Sequence, residues 1–250
     1  DTTVVGTNNA AANTTVVGTD NTGTGDSGFT GGTGNTVNGH WSAVIGNTNT
    51  TTGIRSTAIG SDNTTDKDYA TAVGNNITVN GQASQAVGNN IIVADNNATA
   101  VGGNIDVKGD QASAFGDSVT VNGTGSTAVG STSQAIGEYA TSLGYGAQAT
   151  ANNAIATGSN AAASGLNSIA IGNTAEASAE GAIALGNGAK ATAKGAVAIG
   201  AGTVNDVENT VSLGDRRMTW VADGIGDNDA VNVKQLKDAL ASVDTAPSQA

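Results

Sequence analysis

The sequence predicts an all-β fold, a parallel solenoid of 14-residue coils with two short strands each, followed by the start of a C-terminal helix. Glycine recurs at a fixed 14-residue interval through most of the chain. Small and large apolar residues alternate ahead of each of these glycines, as along a strand with two different faces. The composition agrees, because 37 glycines and only 3% aromatic residues favour strands and tight turns over packed helices.

The recurring glycine defines the coil. It stands at residues 46, 60, 74, 88, 102, 116, 130, 144, 158, 172, 186, 200 and 214. A period kept over so many copies is typical of a solenoid, in which each unit covers the apolar face of its neighbour. Gly32 and Gly18 extend the register, but Gly6 precedes Gly18 by twelve residues, so we expect residues 1–45 to be irregular. A monomeric β-helix with three faces per coil is the alternative, and 14 residues leave room for only two strands.

Positions in a coil are counted from its glycine, which is position 0. The positions that hold large side chains change along the chain, and this change predicts which side of the strand faces inward. Over residues 77–121 the large residues stand at +3 and +5, whereas over residues 155–197 they stand at −3. Because close packing penalises cavities and overfilling, we expect −3, −1, +3 and +5 to share one interior of constant volume. The small residues at −4 and −2 then face outward, where another backbone can approach closely. We therefore predict an intersubunit interface at the position −2 alanines, which are Ala58, Ala72, Ala86, Ala100, Ala114, Ala128, Ala170, Ala184 and Ala198.

The glycine spacing halves to seven at residues 130, 137 and 144. We interpret this as an inserted half-coil or as the junction of two repeat subtypes, with the change near residues 131–144. The β-roll head is predicted to span residues 1–205.

The C-terminal segment changes character, and we divide it into a neck at residues 206–228 and a stalk at residues 229–250. Val233, Leu236, Leu240 and Val243 follow the three-four-three spacing of a coiled-coil seam. Asp229 and Asn232 stand just ahead, where a helix start is favoured, and Pro247 follows the seam. The seam is too short to form an independent helix, so we expect it to be the beginning of a longer stalk.

Charge and cysteine content exclude several classes of protein. The net charge of −12 disfavours nucleic acid as a partner, because phosphate binding needs clustered lysine and arginine. No cysteine is available for a disulfide scaffold or a thiolate metal site. No apolar run reaches the length of a membrane span, so we expect any signal or anchor segment to lie outside this sequence.

Candidate chemistry is sparse. His40 is the only histidine, so we expect no enzyme activity, and we expect neither a cofactor nor a metal. The spacings of Asp66/Asp68, Asp106/Asp110 and Asp117 do not form a calcium ligand set. His40 and Trp41 lie in the least regular stretch, and we interpret them as a ligand-contact loop or as a surface insertion or local cap. Arg216 and Arg217 are candidates for a polyanion site or for contacts that bridge subunits.

Three repeats and the neck carry a resemblance to a known family. NSIAIG at 167–172, GAIALG at 181–186 and GAVAIG at 195–200 resemble the head repeats of trimeric autotransporter adhesins of the YadA-like type. TVSLGDRRMTWVADG at 210–224, followed by DAVNVKQL at 229–236, is similar to the neck that joins such a head to its stalk. The resemblance implies a left-handed parallel β-roll, a homotrimer whose stalk seam includes Val233, Leu236 and Leu240, and an outer-membrane anchor.

The same resemblance implies a function and a set of partners. We expect a bacterial cell-surface adhesin head that attaches to host extracellular matrix, host cell-surface receptors or partner bacteria. The chain would be its own partner in the trimer, and it would meet the outer membrane only through an anchor absent from this sequence. The alternative is a structural spacer, or a phage-fibre-like trimeric rod, without a ligand of its own.

Overall fold

The computed structural model describes residues 2–244 and divides into two compact units, Asp1–Gly214 and Asp215–Ala250. The first unit is the predicted parallel β-solenoid. Its last strand ends at Ser212, beyond the head boundary predicted at residue 205. The second unit contains the one helix of the described residues.

In the N-terminal coils, a five-residue strand alternates with a two-residue strand. These are β1 (Thr3–Thr7), β2 (Ala10–Ala11), β3 (Thr15–Thr19), β4 (Thr22–Gly23), β5 (Phe29–Thr33), β6 (Thr36–Val37), β7 (Ala43–Asn47), β8 (Thr50–Thr51), β9 (Thr57–Ser61) and β10 (Thr64–Thr65). In the next three coils the two strands join into one, giving β11 (Thr71–Val79), β12 (Gln85–Val93) and β13 (Thr99–Val107).

Short strands alternate again through the rest of the solenoid. These are β14 (Ser113–Asp117), β15 (Thr120–Val121), β16 (Thr127–Val129), β17 (Gln134–Ala135), β18 (Thr141–Leu143), β19 (Gln148–Ala149), β20 (Ile155–Thr157), β21 (Ala162–Ala163), β22 (Ile169–Ile171), β23 (Glu176–Ala177), β24 (Ile183–Leu185), β25 (Lys190–Ala191), β26 (Val197–Ile199), β27 (Val204–Asn205) and β28 (Val211–Ser212).

Successive coils pair in parallel with a constant offset of 14 residues. Gly74 of β11 lies beside Gly88 of β12, which lies beside Gly102 of β13. Only the first coil is shorter, because Gly6 of β1 pairs with Gly18 of β3. Residues 2–45 therefore form regular coils apart from this shortening, which corrects the expectation of an irregular N-terminal region.

The coil around residues 131–144 also keeps the regular register. Thr127 of β16 pairs with Thr141 of β18, and Gln134 of β17 pairs with Gln148 of β19. Gly137 occupies the turn position that Gly123 and other glycines occupy in neighbouring coils. The prediction of an inserted half-coil is wrong, and the site is only the junction of two repeat subtypes.

Each coil bends at two left-handed residues, at positions −5 and +2, and in β11 to β13 the second bend lies within the joined strand. Tyr69 and Asn76 have φ values of 60° and 53°, and Ala83 and Asn90 have 56° and 55°. Position 0 demands glycine more strictly. Gly88 has a φ of 140°, and a Cβ there would overlap the carbonyl oxygen of Gly102 in the next coil.

The predicted interior is wrong in its choice of strand face. Positions −4 and −2 are buried together with +3 and +5, whereas −3 and −1 face outward. Ile59 and Val87 at −1 are 39% and 43% exposed. On the strand ahead of the glycine, the small residues therefore face the thin interior and the larger ones lie outside. The alanines predicted at an intersubunit interface are instead fully buried within their own chain; they are Ala58, Ala72, Ala86, Ala100, Ala114, Ala128, Ala170, Ala184 and Ala198.

The interior changes along the solenoid in three blocks. Position +3 is asparagine over residues 21–63, isoleucine or valine over 77–119, and alanine over 147–189. In the last block a coil can have alanine at all four interior positions, as in Ala154, Ala156, Ala161 and Ala163. The prediction of a constant interior volume is therefore also wrong. The isoleucines at −3, which were expected to compensate for the small residues at +3 and +5, lie on the outer face.

Asparagine side chains connect the coils of the first block. Asn35 is fully buried, and its Nδ2 donates to the carbonyl of Gly46 at 2.8 Å and to Oδ1 of Asn21 at 3.0 Å. Its Oδ1 accepts the backbone N–H of Asn49 at 3.0 Å. Because the amide donates to the coils on both sides and accepts from the following one, this asparagine ladder satisfies polar groups that burial would otherwise leave unpaired.

The second unit contains helix α1 (Val233–Asp244), which confirms the predicted helix. Asn232 caps it, since its Oδ1 accepts the backbone N–H of Gln235 at 2.9 Å. The Gln235 side chain holds the preceding loop by bonding both the N–H and the carbonyl of Gly224 at 2.9 Å. Pro247 lies outside the described residues.

We predict that Gly88→Ala lowers stability by more than about 3 kcal/mol, because it combines a disfavoured φ with overlap against the next coil. Thermal unfolding followed by circular dichroism tests this. Gly188→Asn is the matched control, because Gly188 has a φ of 64° at position +2, where Asn76 and Asn90 stand in other coils. Equal melting temperatures for the two variants would contradict the close approach at position 0.

We predict that Asn49→Ala costs about 3 kcal/mol of unfolding free energy, since it leaves the buried N–H of Asn63 and the carbonyl of Gly60 without their side-chain partner. Thr50→Ala, at the adjacent residue on the outer face of β8, should change it by less than about 0.5 kcal/mol. Denaturant unfolding of both variants makes the comparison, and similar losses would refute the structural role of the ladder.

Candidate interaction surfaces

One outer face of the solenoid carries a line of mostly apolar side chains at position −1, interrupted at Gly31 and Thr157. We call it the outer apolar row, and its exposed members after the first coil are Val17, Ile45, Ile59, Val87, Val101, Phe115, Leu143, Ile171 and Ile199. Their exposed fractions lie between 37% and 47%. Position −3 widens the row in the last coils, where Ile155, Ile169 and Ile183 are half-buried beside it. An extended exposed apolar face of this kind indicates a protein contact.

The opposite outer face is polar over most of its length. Its position +4 residues are threonine in the first coils, from Thr22 to Thr78, and are later mixed with charged residues. Lys190 donates to Glu176 of the preceding coil at 2.8 Å, and in the adjacent turns Lys194 donates to Glu180 at 2.7 Å. The hydrogen bond to Glu180 raises the pKa of Lys194. These exposed pairs leave this face hydrated.

The residues His40 and Trp41 do not form an insertion or a cap, because they occupy positions −6 and −5 of a regular coil. Nδ1 of His40 accepts the backbone N–H of Asp26 at 3.1 Å. Asp68 makes the equivalent bond, with Oδ1 accepting from the backbone N–H of Ile54 at 2.8 Å. His40 is therefore a turn residue that links two coils, whatever else it contacts.

Trp41 begins a stack of flat side chains along one turn edge. The Arg55 guanidinium lies 5.4 Å from the centroid of the Trp41 ring and 5.9 Å from the centroid of the Tyr69 ring. Both distances are within the range of cation–π contacts. Sequence reasoning missed Arg55 and Tyr69, although the signal was available, since all three residues stand at position −5 of consecutive coils.

A polar depression of about 510 Å³ lies on the same turn edge. It is lined by Asp66, Lys67, Asp68, Gln82 and Asn96. Tyr69, the last ring of the stack, directly follows the lining residue Asp68 in the chain.

The neck and helix form their own surfaces within the second unit. Arg216 and Arg217 are exposed, as are Val233, Leu236 and Leu240 along one side of α1. A groove of about 770 Å³ is lined mainly by apolar side chains, among them Met218, Trp220 and Val231. Exposure of a heptad seam in a single chain fits a helix that is completed by other helices.

A carboxylate organises the loop ahead of α1. Oδ2 of Asp229 accepts the backbone N–H groups of Gly226 at 2.8 Å and Ile225 at 2.9 Å. These bonds, with the one to Gly226 first, lower the pKa of Asp229. The role of Asp229 is thus to hold a turn.

The described residues offer little for chemistry. Among residues 2–244, no group of three or more histidine, aspartate or glutamate side chains could hold a metal ion. In the same range no helix has the length and apolar composition needed to cross a bilayer.

Comparisons with known proteins identify the family of the solenoid. The family profile described as YadA head domain repeat (2 copies) matches residues 42–76, 108–133, 135–161, 163–189 and 177–203. A solved structure, the collagen-binding domain of the Yersinia adhesin YadA, is 26% identical over 76% of this chain and 86% of that chain, with a TM-score of 0.34. No curated protein sequence matches. Because the profile matches just over half of the chain, within the coils that the structure shows, the chain belongs to the YadA-like heads of trimeric autotransporter adhesins.

Proposed function

We propose that the chain is the adhesive head of a homotrimer at the surface of a bacterium. An anchor outside this sequence would hold it at the outer membrane. Its partners would be host extracellular matrix, host cell-surface receptors or other bacteria. The observation that carries the proposal is the outer apolar row in a chain of this adhesin family, whose heads are structural and adhesive rather than enzymatic.

The outer apolar row is the face on which the copies would meet. A single chain leaves large aliphatic side chains such as Ile45 and Ile171 more than a third exposed on most coils. Packing three copies along this row would remove the apolar side chains from water over the whole length of the solenoid. The polar +4 face and the turn edges would stay outside, available to a ligand.

The second unit would make an intersubunit contact of its own. Val233, Leu236 and Leu240 would form the seam of a three-stranded coiled coil, and Arg216 and Arg217 would bridge neighbouring chains. Association of three heads also supports adhesion, because several weak contacts on one rigid particle add through effective concentration.

We predict that Val87→Lys weakens the trimer, because three copies of the lysine would meet on the apolar row. Ile92→Lys is the matched control: Ile92 lies on the same strand, is 49% exposed, and faces the opposite side beside Asp106. Light scattering should give a trimer for the wild type and the control and a smaller mass for Val87→Lys. A monomeric wild type, or equal effects of both lysines, would overturn this interface.

We predict that the purified trimer, coupled to beads for avidity, adheres to at least one surface among collagen, fibronectin, cultured host cells and bacterial cells. Beads that carry the Val87→Lys variant should adhere less, since trimerisation supplies multivalency. If wild-type beads adhere to none of these surfaces, the chain is a spacer rather than an adhesive head.

A further inference from the structure

We propose that the turn edge around Tyr69 and Gln82 binds a neutral sugar residue, a hexose or N-acetylhexosamine, in the glycans of the surface to which the head attaches. The inference rests on the proposed adhesive function and gives it a ligand class. Four features carry it: a braced aromatic ring, an open ring face, unpaired polar groups beside that face, and the sign of the local charge.

The aromatic ring is Tyr69, which is 49% exposed and held from one side. The Arg55 guanidinium stacks between the Tyr69 and Trp41 rings, and its Nη1 lies 3.5 Å from the Tyr69 hydroxyl. The stack fixes the plane of the tyrosine before any ligand arrives. A fixed exposed ring is a platform for the C–H face of a sugar, because such a face is apolar and the ring face is electron-rich.

The other face of Tyr69 is left open by the next coil. Position −5 is arginine in the preceding coil but Ala83 in the following one. Parallel strands place these positions about 4.8 Å apart along the stack. Since alanine carries only a methyl group, position −5 of the following coil places no long side chain over the tyrosine face that is turned away from Arg55.

Polar groups lie next to Tyr69 in the chain. The depression is lined by Lys67, Asp68, Gln82 and Asn96, of which Asp68 directly precedes Tyr69 and Gln82 directly precedes Ala83. Asp68 uses Oδ1 for the N–H of Ile54, which leaves Oδ2 available. Within residues 2–244, no hydrogen bond involves the Lys67 ammonium or the Gln82 side-chain amide. Carboxylate, amide and ammonium groups together can both accept from and donate to neighbouring hydroxyls.

The charge of the depression selects among ligands. Asp66 and Asp68 line it with Lys67 as the one cation of the lining, and the Arg55 guanidinium lies behind the Tyr69 ring, so a sulfated or carboxylated sugar in the depression would meet net repulsion. An uncharged sugar meets no such repulsion on entering the depression, and it gains the contact with the Tyr69 ring. The site therefore differs from the basic clusters that bind polyanionic chains.

The experiment uses the intact trimer and three neutral probes, triacetylchitotriose, lactose and maltotriose, with 3′-sialyllactose as the anionic comparison. Saturation-transfer NMR detects contact with sugar C–H groups, and titration calorimetry gives the affinity. We expect at least one neutral probe to bind, and sialyllactose to bind no better than lactose.

Three variants locate the site. Tyr69→Ala should weaken binding about tenfold through loss of stacking. Ala83→Arg should abolish it by covering the open ring, and should fold normally, because Arg55 and Ala83 have the same φ of 56°. Tyr139→Ala is the control, because Tyr139 also stands at position −5 and is 63% exposed but has no arginine or tryptophan stacked on it.

The outcomes separate this site from the adhesive function. Loss of sugar binding in both Tyr69→Ala and Ala83→Arg, with Tyr139→Ala unchanged, supports the site. Absence of binding by any neutral probe, or equal losses in all three variants, overturns it. If beads of the Ala83→Arg trimer adhere to matrix and cells as well as wild type does, adhesion stands and the sugar site fails as its basis.

Discussion

Every feature of this solenoid depends on backbone hydrogen bonds between coils that are 14 residues apart. Bonds such as Gln85 N–H to the carbonyl of Ala98, at 2.9 Å, form only if each coil returns to the same height and direction. That condition requires two left-handed turn residues per coil and a glycine where neighbouring backbones approach most closely. Once this condition is met, residues at the same position of successive coils form a straight row of side chains. The polarity and charge of each surface are then set by the residues of its row.

The period, the two strands per coil and the C-terminal helix could be predicted from sequence, because hydrogen-bond register leaves a direct mark in glycine spacing. The side of the strand that faces inward could not. Bulky residues mark a face that is hidden from water, but one sequence does not say whether its own chain or another chain hides it. Here Ala184 fills the interior, while Ile183 and Leu185 lie on the outer face.

The candidate surfaces were also only partly predictable from one sequence. His40 and Trp41 are an unusual pair in a stretch whose sequence looks irregular, yet they are turn residues of a regular coil. The stack of Trp41, Arg55 and Tyr69 was missed, since residues 14 positions apart look unrelated until they are written in register. Reading each coil position as a row would have brought these three together from the sequence alone.

The three interior blocks have a consequence for how the chain finds its pairing. Nearly identical coils could shift by a whole coil and still make most backbone hydrogen bonds, so uniform repeats invite slipped states. The asparagine ladder ends where Asn63 Oδ1 accepts the N–H of Ile77, and no other pair of adjacent coils has that junction. A slipped chain would place an amide against aliphatic side chains and leave it unsatisfied. The boundaries between blocks thus act as alignment marks that give a repetitive sequence one register.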